Sequence, residues 1–260
     1  MKLGLLPFLW LFAGCNPAAP GHTNVASTQE INLIPALFEK SSWQYFLQHL
    51  PAKPGTVVDY RGSPIANQTK AALIVNYDVG NKDLQQCADA LIRLRAEYLF
   101  AAHRYADIAF HFTSGHLYPF DAYCKGLRPA VTGNQVKFLP LSAPCEPSHT
   151  ALRSYLDIVY TYAGTISLAR ELDKTDKVSV GTVIILPGSP GHCTLVVDEA
   201  TTAKGEKVYK LAEGYSPAQS IYILRSTAGT MSDLWQPIKT GGPIQTASCI
   251  FYDYQLGSFR

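Results

Sequence analysis

Residues 182–213 read TVIILPGSPGHCTLVVDEATTAKGEKVYKLAE. Thr182 to Leu186 is an unbroken aliphatic run of strand length. Pro187-Gly188-Ser189-Pro190-Gly191 then forces a tight turn. His192 to Asp198 and Lys207 to Glu213 read as two further strands around the turn-rich Thr201 to Glu206, which predicts a hairpin. Ile221 to Leu224 adds another strand. Consecutive strands here, after helical patterns earlier in the chain, predict an α+β fold.

Moving outward, Asp83 to Phe100 contains no Gly or Pro, and Leu84, Cys87, Leu91, Leu94 and Tyr98 recur at helical spacing. Asp89, Arg93, Arg95 and Glu97 on the same segment read as surface charges with one Arg93–Glu97 ion pair. Leu152 to Leu172 is a second helical pattern, weakest at Gly164. Ser41 or Ser42 caps a short predicted helix carrying Trp43, Phe46, Leu47 and Leu50. Ala71 to Tyr77 and Ile108 to Phe112 are strand candidates. Pro119 to His149 contains five prolines and reads as a long surface excursion.

Across 260 residues, 22 Lys and Arg against 20 Asp and Glu give a net charge of +2. So even a balance argues against a nucleic-acid partner. A hydrophobic content of 47% excludes a disordered chain. Residues 1–14 read as an export signal: Lys2, an apolar run from Leu3 to Phe12, then small residues. The run is shorter than the roughly 20 residues a spanning helix needs. Phe12-Ala13-Gly14-Cys15 is similar to a bacterial lipobox, which implies lipid on Cys15 and the membrane as a partner. Asn16 in place of Asp favours the outer membrane. Residues 15–30 form the lipidated Cys and a polar tether, and residues 31–260 a single α+β domain. Export implies an oxidising compartment, where Cys124 and Cys145 are the expected disulfide pair and an odd thiol is left over.

The chemistry-bearing candidates are few. Cys87 lies near a helix start, where partial positive charge favours the nucleophilic thiolate. His192 opens a strand behind a stiff turn and is placed to take and return a proton. Backbone N–H groups near Cys87, with Gln86, are the candidate oxyanion donors. Glu213 is the candidate orienter of the imidazole, provided that Asp198 faces Lys207 and His192 therefore faces Glu213. The simplest core, however, joins Tyr209, Leu211 and Glu213 to Cys193, Leu195 and Val197, which leaves His192 on the opposite face. Cys193 is a weaker nucleophile candidate, since neighbouring strand residues point apart. His111 and His116, near His103 and Asp107, suggest a metal site, but no compact ligand spacing is present and no metal or cofactor is expected.

Asp83-Leu84-Gln85-Gln86-Cys87-Ala88-Asp89-Ala90 and Arg93-Leu94-Arg95-Ala96-Glu97-Tyr98-Leu99 resemble the signature of the domain of unknown function 4846 family of bacterial envelope proteins. So do Tyr162-Ala163-Gly164-Thr165-Ile166-Ser167-Leu168, Gly188-Ser189-Pro190-Gly191-His192 and Tyr215-Ser216-Pro217-Ala218-Gln219. The likeness spans roughly residues 40 to 225 and implies an envelope setting without an activity. Gly181 to Asp198 is also similar to the strand–turn–His–strand segment of NlpC/P60 cell-wall peptidases, although Gln86-Cys87-Ala88-Asp89 replaces their Asp-Cys-Ser-Gly motif and a long helical insertion separates the halves. That second resemblance implies a papain-like helix packed on an antiparallel sheet. The resulting expectation is a lipid-anchored envelope cysteine hydrolase of amide bonds, with peptidoglycan peptides as substrate. The rival expectation is a non-catalytic envelope lipoprotein that binds a cell-wall or protein partner, and a third is a metal-dependent enzyme centred on His111 and His116.

Overall fold

The computed structural model describes residues 32–228 and 232–260. The predicted signal segment and Cys15 lie outside them. The helices are α1 (Trp43–Gln48), α2 (Cys87–Ala101), α3 (Phe120–Cys124), α4 (His149–Tyr162) and α5 (Thr165–Glu171). The strands are β1 (Leu33–Pro35), β2 (Ala52–Lys53), β3 (Ala71–Val75), β4 (Ala109–His111), β5 (Leu117–Pro119), β6 (Leu127–Thr132), β7 (Gln135–Pro140) and β8 (Leu172–Lys174). They continue with β9 (Thr182–Leu186), β10 (His192–Thr202), β11 (Lys207–Glu213), β12 (Tyr222–Leu224), β13 (Ile244–Gln245), β14 (Ile250–Phe251) and β15 (Gln255–Phe259).

The stretch from Thr182 to Glu213 forms the middle of a nine-stranded sheet in the order β2-β3-β12-β11-β10-β9-β15-β8, with β1 paired to the far half of β10. Its named pairings are antiparallel. Both faces are covered, which explains why β9 is apolar from Val183 to Leu186 instead of alternating. Val183, Ile185, Cys193, Leu195, Val197, Ala212 and Ile223 join the core shared with α2. Val196, Tyr209, Leu211, Tyr222 and Leu224 pack on the opposite face, and Ile184 meets Ile244 and Phe251 from the C-terminal segment. The protein is thus a mixture of helices and antiparallel sheets.

The β10–β11 register differs from the expected one. Leu195 faces Ala212 and Val196 faces Leu211, then a bulge intervenes and Asp198 faces Lys210 instead of Lys207. Near the His192 end the offset from expectation is two residues, which preserves side-chain faces. Tyr209 and Leu211 therefore share a face with Val196, not with Cys193, Leu195 and Val197, and Glu213 falls on the His192 side.

Three other segments depart from the sequence reading. Helix α2 starts at Cys87 rather than Asp83, because the Asp83 carboxylate accepts the Ala218 N–H at 2.7 Å and the Gln86 side-chain amide at 3.1 Å. Residues 83–86 are held as a turn. The Pro119–His149 excursion contains α3 and the β6–β7 hairpin; Pro129 and Pro140 are tolerated because this is an isolated two-stranded sheet. Asp89, Arg93, Arg95 and Glu97 are all buried, not surface charges. The predicted break near Gly164 is present: α4 ends at Tyr162 and α5 starts at Thr165.

Candidate active site

Cys87 is the first residue of α2, a 15-residue helix, so its thiol sits among backbone N–H groups that lack helical partners. The Gln86 N–H donates to Asp89 Oδ2 at 3.1 Å, which fixes the entry into the first turn. Cys87 Sγ lies 3.8 Å from the Gly191 carbonyl oxygen. The His192 ring, the Cys193 thiol and the Ala88 N–H lie near enough to shift its titration. The turn before His192 is tied to α5: Thr165 Oγ1 donates to Gly188 O at 3.0 Å and accepts the Gly188 N–H at 3.1 Å.

His192 Nε2 lies 2.9 Å from Glu213 Oε2, which leaves Nδ1 as the ring nitrogen for Cys87. The imidazole stacks on Phe251, with centroids 5.7 Å apart, and meets the Tyr215 ring edge-on at 5.1 Å. Glu213 is completely buried. Its Oε1 accepts from the Tyr222 hydroxyl at 2.6 Å and its Oε2 from the Ser248 hydroxyl at 2.8 Å. A buried carboxylate persists only with such compensation. Lys70 adds a nearby positive charge, its Nζ 3.6 Å from the Tyr215 ring centre.

The electrostatics follow from these contacts. A hydrogen bond from the Cys193 thiol, opposed by burial and reinforced by the hydrogen bond and charge of His192, holds Cys87 well below the ordinary thiol range. Burial pushes the His192 imidazole down, but the Glu213 charge and the hydrogen bonds to Cys87 and Glu213 outweigh it and raise His192 to about 9. Burial pushes Glu213 up, yet the charge and hydrogen bond of His192, with Tyr222 and Lys70, bring it below the ordinary carboxylate value. These shifts favour a thiolate beside an imidazolium, backed by a carboxylate. Burial and the adjacent Cys87 charge raise Asp89 well above its usual value. Burial, with the hydrogen bond to Cys87, likewise raises Cys193, which removes it as a nucleophile.

Cys87, His192 and Glu213 are thus brought together, with Gln86 alongside, its side-chain amide donating to Asp83. The histidines of the metal reading are not. His111 Nδ1 pairs with Glu171 Oε1 at 2.8 Å, His116 Nδ1 with Ser114 Oγ at 3.1 Å, and His103 Nδ1 with the Tyr105 hydroxyl at 2.9 Å. Among the described residues no group of three or more His, Cys, Asp or Glu is placed to hold a metal. Cys124 and Cys145 are free thiols, as are Cys87 and Cys193, but the Cys145 N–H donates to Cys124 O at 2.8 Å. Sequence reasoning missed Tyr222, Ser248 and Lys70. Tyr222 was legible as a member of the strand beside β11; Ser248 and Lys70 carry no local signal. A cleft of about 670 Å³ is lined by Gln85 and α4 residues and does not include Cys87, His192 or Glu213.

A helix-borne cysteine, a strand-borne histidine and a buried glutamate on the adjoining strand, set on an antiparallel sheet, define a mixed helix–sheet protein with a cysteine–histidine–glutamate centre. The chain belongs to the domain of unknown function 4846 family, whose model matches residues 34–258. No curated protein and no solved structure matches it.

Proposed function

We propose that the protein is a cysteine hydrolase of amide bonds, with a papain-like arrangement akin to that of NlpC/P60 peptidases. The observation that carries the reading is His192 Nε2 lying 2.9 Å from a buried glutamate, with Cys87 close enough that its thiol and the imidazole shift each other's titration. A nucleophile, a base and an orienter in that sequence are what acyl transfer requires. The Cys87 thiolate attacks the amide carbon, and the C–S bond forms as the carbonyl oxygen takes up negative charge. Backbone N–H groups at the start of α2, with the remaining Gln86 amide proton, face that oxyanion. His192 gives its proton to the amine nitrogen as the C–N bond breaks. Water then attacks the thioester while neutral His192 takes its proton, and the C–S bond breaks to return the thiolate. Glu213 stabilises the imidazolium and fixes the ring.

The setting we propose has three supports: residues 1–15 for lipid on Cys15 and an envelope location, Asn16 for the outer membrane, and the NlpC/P60 resemblance for peptidoglycan peptides as substrate. Among the described residues no helix is long and apolar enough to cross a membrane. The rival reading, a binding lipoprotein, is favoured by one fact, the near-complete burial of His192 at 4% exposure.

Alkylation by iodoacetamide between pH 5 and 9, mapped by mass spectrometry, separates the two. Cys87 should be the fastest thiol at pH 6, ahead of exposed Cys145. Glu213→Gln should slow Cys87 at that pH by about tenfold or more, because it lowers the His192 pKa that sustains the thiolate. A Cys87 no faster than Cys145 would leave the binding reading ahead.

A further inference from the structure

Lys70 lies just ahead of β3, and its carbonyl accepts the Arg225 N–H at 2.8 Å. The residue is 6% exposed, yet its Nζ makes no hydrogen bond or ion pair with any described residue. Buried lysines are nearly always paired, and an unpaired ammonium is costly to bury. What this ammonium meets is two aromatic rings. It lies 3.6 Å from the centre of Tyr215 and 5.2 Å from that of Tyr222. Those are the two tyrosines that touch the His192–Glu213 pair. Tyr215 meets the imidazole edge-on at 5.1 Å, and Tyr222 donates its hydroxyl to Glu213 Oε1 at 2.6 Å. Burial lowers the Lys70 pKa, and the Glu213 charge opposes that. Arg225 is engaged elsewhere, with Asp233 and the carbonyls of Thr69 and Ala71.

We propose that Lys70 is a positioning residue for His192, acting through Tyr215. A cation over a ring face is attracted by its π electrons, most strongly out of water. The Tyr215 hydroxyl makes no hydrogen bond to a described residue, so the ring's orientation rests on Lys70 and His192. Its backbone is fixed from the preceding residue, since a Cβ added to Gly214 would fall 2.6 Å from Ala90 Cβ and 3.0 Å from Gln86 O. Tyr215 and Phe251 together flank the imidazole. That ring has to keep Nε2 on Glu213 while its other nitrogen serves the sulfur, and a ring free to tilt loses the geometry that proton transfer needs. The proposal deepens the hydrolase reading and rests on it, because a held imidazole matters to catalysis only where it serves Cys87.

The test follows Cys87 alkylation by iodoacetamide between pH 5 and 9 in the full chain. Lys70→Met keeps the length of the side chain and removes its charge. It should slow Cys87 several-fold at pH 6 and leave the rate at pH 9 nearly unchanged, since an ordinary thiol is largely ionised there without help. Lys70→Arg, whose guanidinium also stacks on aromatic faces, should restore most of the rate at pH 6. Tyr215→Leu should slow Cys87 as Lys70→Met does, and the two together should add nothing, as expected of residues acting in one line. A Lys70→Met variant with unaltered rates, an equal loss at every pH, or additive losses in the double variant would each overturn the proposal. The His192 Nε2–H signal in nitrogen-edited proton spectra reports independently of the thiol. It should be resolved in the unmutated chain and in Lys70→Arg, and lost to solvent exchange in Lys70→Met. Persistence of that signal in Lys70→Met would sink the role of Lys70, whereas a slow Cys87 in the unmutated chain would sink the hydrolase reading instead.

Discussion

The proton count of the Cys87–His192 pair sets its contribution to stability across pH. His192 is raised to about 9 from an ordinary 6.5. Alone, it contributes stability that is complete below 6.5 and lost as pH rises through about 9. Cys87 is depressed well below 9.0, so its contribution is present above that value and lost as pH falls through its folded pKa. Where the lowered Cys87 is ionised and the raised His192 protonated, the folded pair holds one proton; between about 6.5 and 9 the unfolded pair also holds one, on sulfur instead of nitrogen. The two slopes cancel and the pair contributes a flat profile. Cys87→Ala unmasks the histidine. Its melting temperature should decline as pH rises above 6.5 relative to the unmutated chain, by less than the full His192 shift implies, because the hydrogen bond and charge of Cys87 that help raise His192 leave with the thiol. Thermal denaturation of both proteins across that range checks it; parallel profiles would mean that the thiolate–imidazolium pair does not form.

Secondary-structure elements, more than individual residues, place the site, and β10 does most of it. Its start is pinned by Gly191, where an added Cβ would fall 2.7 Å from Leu186 O and 2.8 Å from Gly188 N. These are backbone atoms and cannot rotate away. Gly191→Ala should cost about 1–3 kcal/mol and also slow Cys87 alkylation, since Gly191 O and His192 move with the strand. Ser148→Ala is the contrast. It removes the α4 cap accepted from the Ala151 N–H at 3.1 Å and should cost about 1 kcal/mol with Cys87 reactivity intact. Equal effects of both variants on the thiol would detach the site from the strand start. The strand boundaries themselves were legible: the apolar run and the Pro-Gly turn mark β9 and the start of β10, and alternation marks β11. The register was not, because the bulge between Val196 and Asp198 has no marker in Val196-Val197-Asp198. Glu213 still landed beside His192 because the discrepancy near that end was an even number of residues. The burial of Asp89, Arg93, Arg95 and Glu97 was equally hidden. Their spacing is that of a solvated helix face, and the groups covering them come from segments far away in the chain.

At the scale of the whole molecule, Arg93 links its own helix to two other segments. It is completely buried. Its Nε lies 2.6 Å from Glu97 on its own helix, and its terminal nitrogens lie 3.1 Å from Gln85 Oε1 and 3.3 Å from Asp78 Oδ2. Glu97 in turn pairs with His149 of α4 at 2.9 Å. One guanidinium thus fastens α2 to the segment that leads into Cys87, and through Glu97 to the helix that carries Arg153. Removing one member of such a buried set strands the others, at about 3–5 kcal/mol, whereas replacing both partners with apolar residues of similar size is often neutral. Arg93→Ala should therefore destabilise the fold strongly. Arg93→Met combined with Glu97→Met should recover most of that loss, because no uncompensated charge remains between α2 and α4. Cys87 reactivity should remain below that of the unmutated chain in the double variant, since Gln85 and Asp78 have lost Arg93 and keep only Arg153, which leaves the turn ahead of α2 freer to shift. Denaturant unfolding and thiol mapping on the same samples check the two parts. A double variant as unstable as Arg93→Ala would show that shape fit, not charge pairing, dominates there. Full recovery of thiol reactivity would show that the sheet and Gly191 hold Cys87 without help from α4.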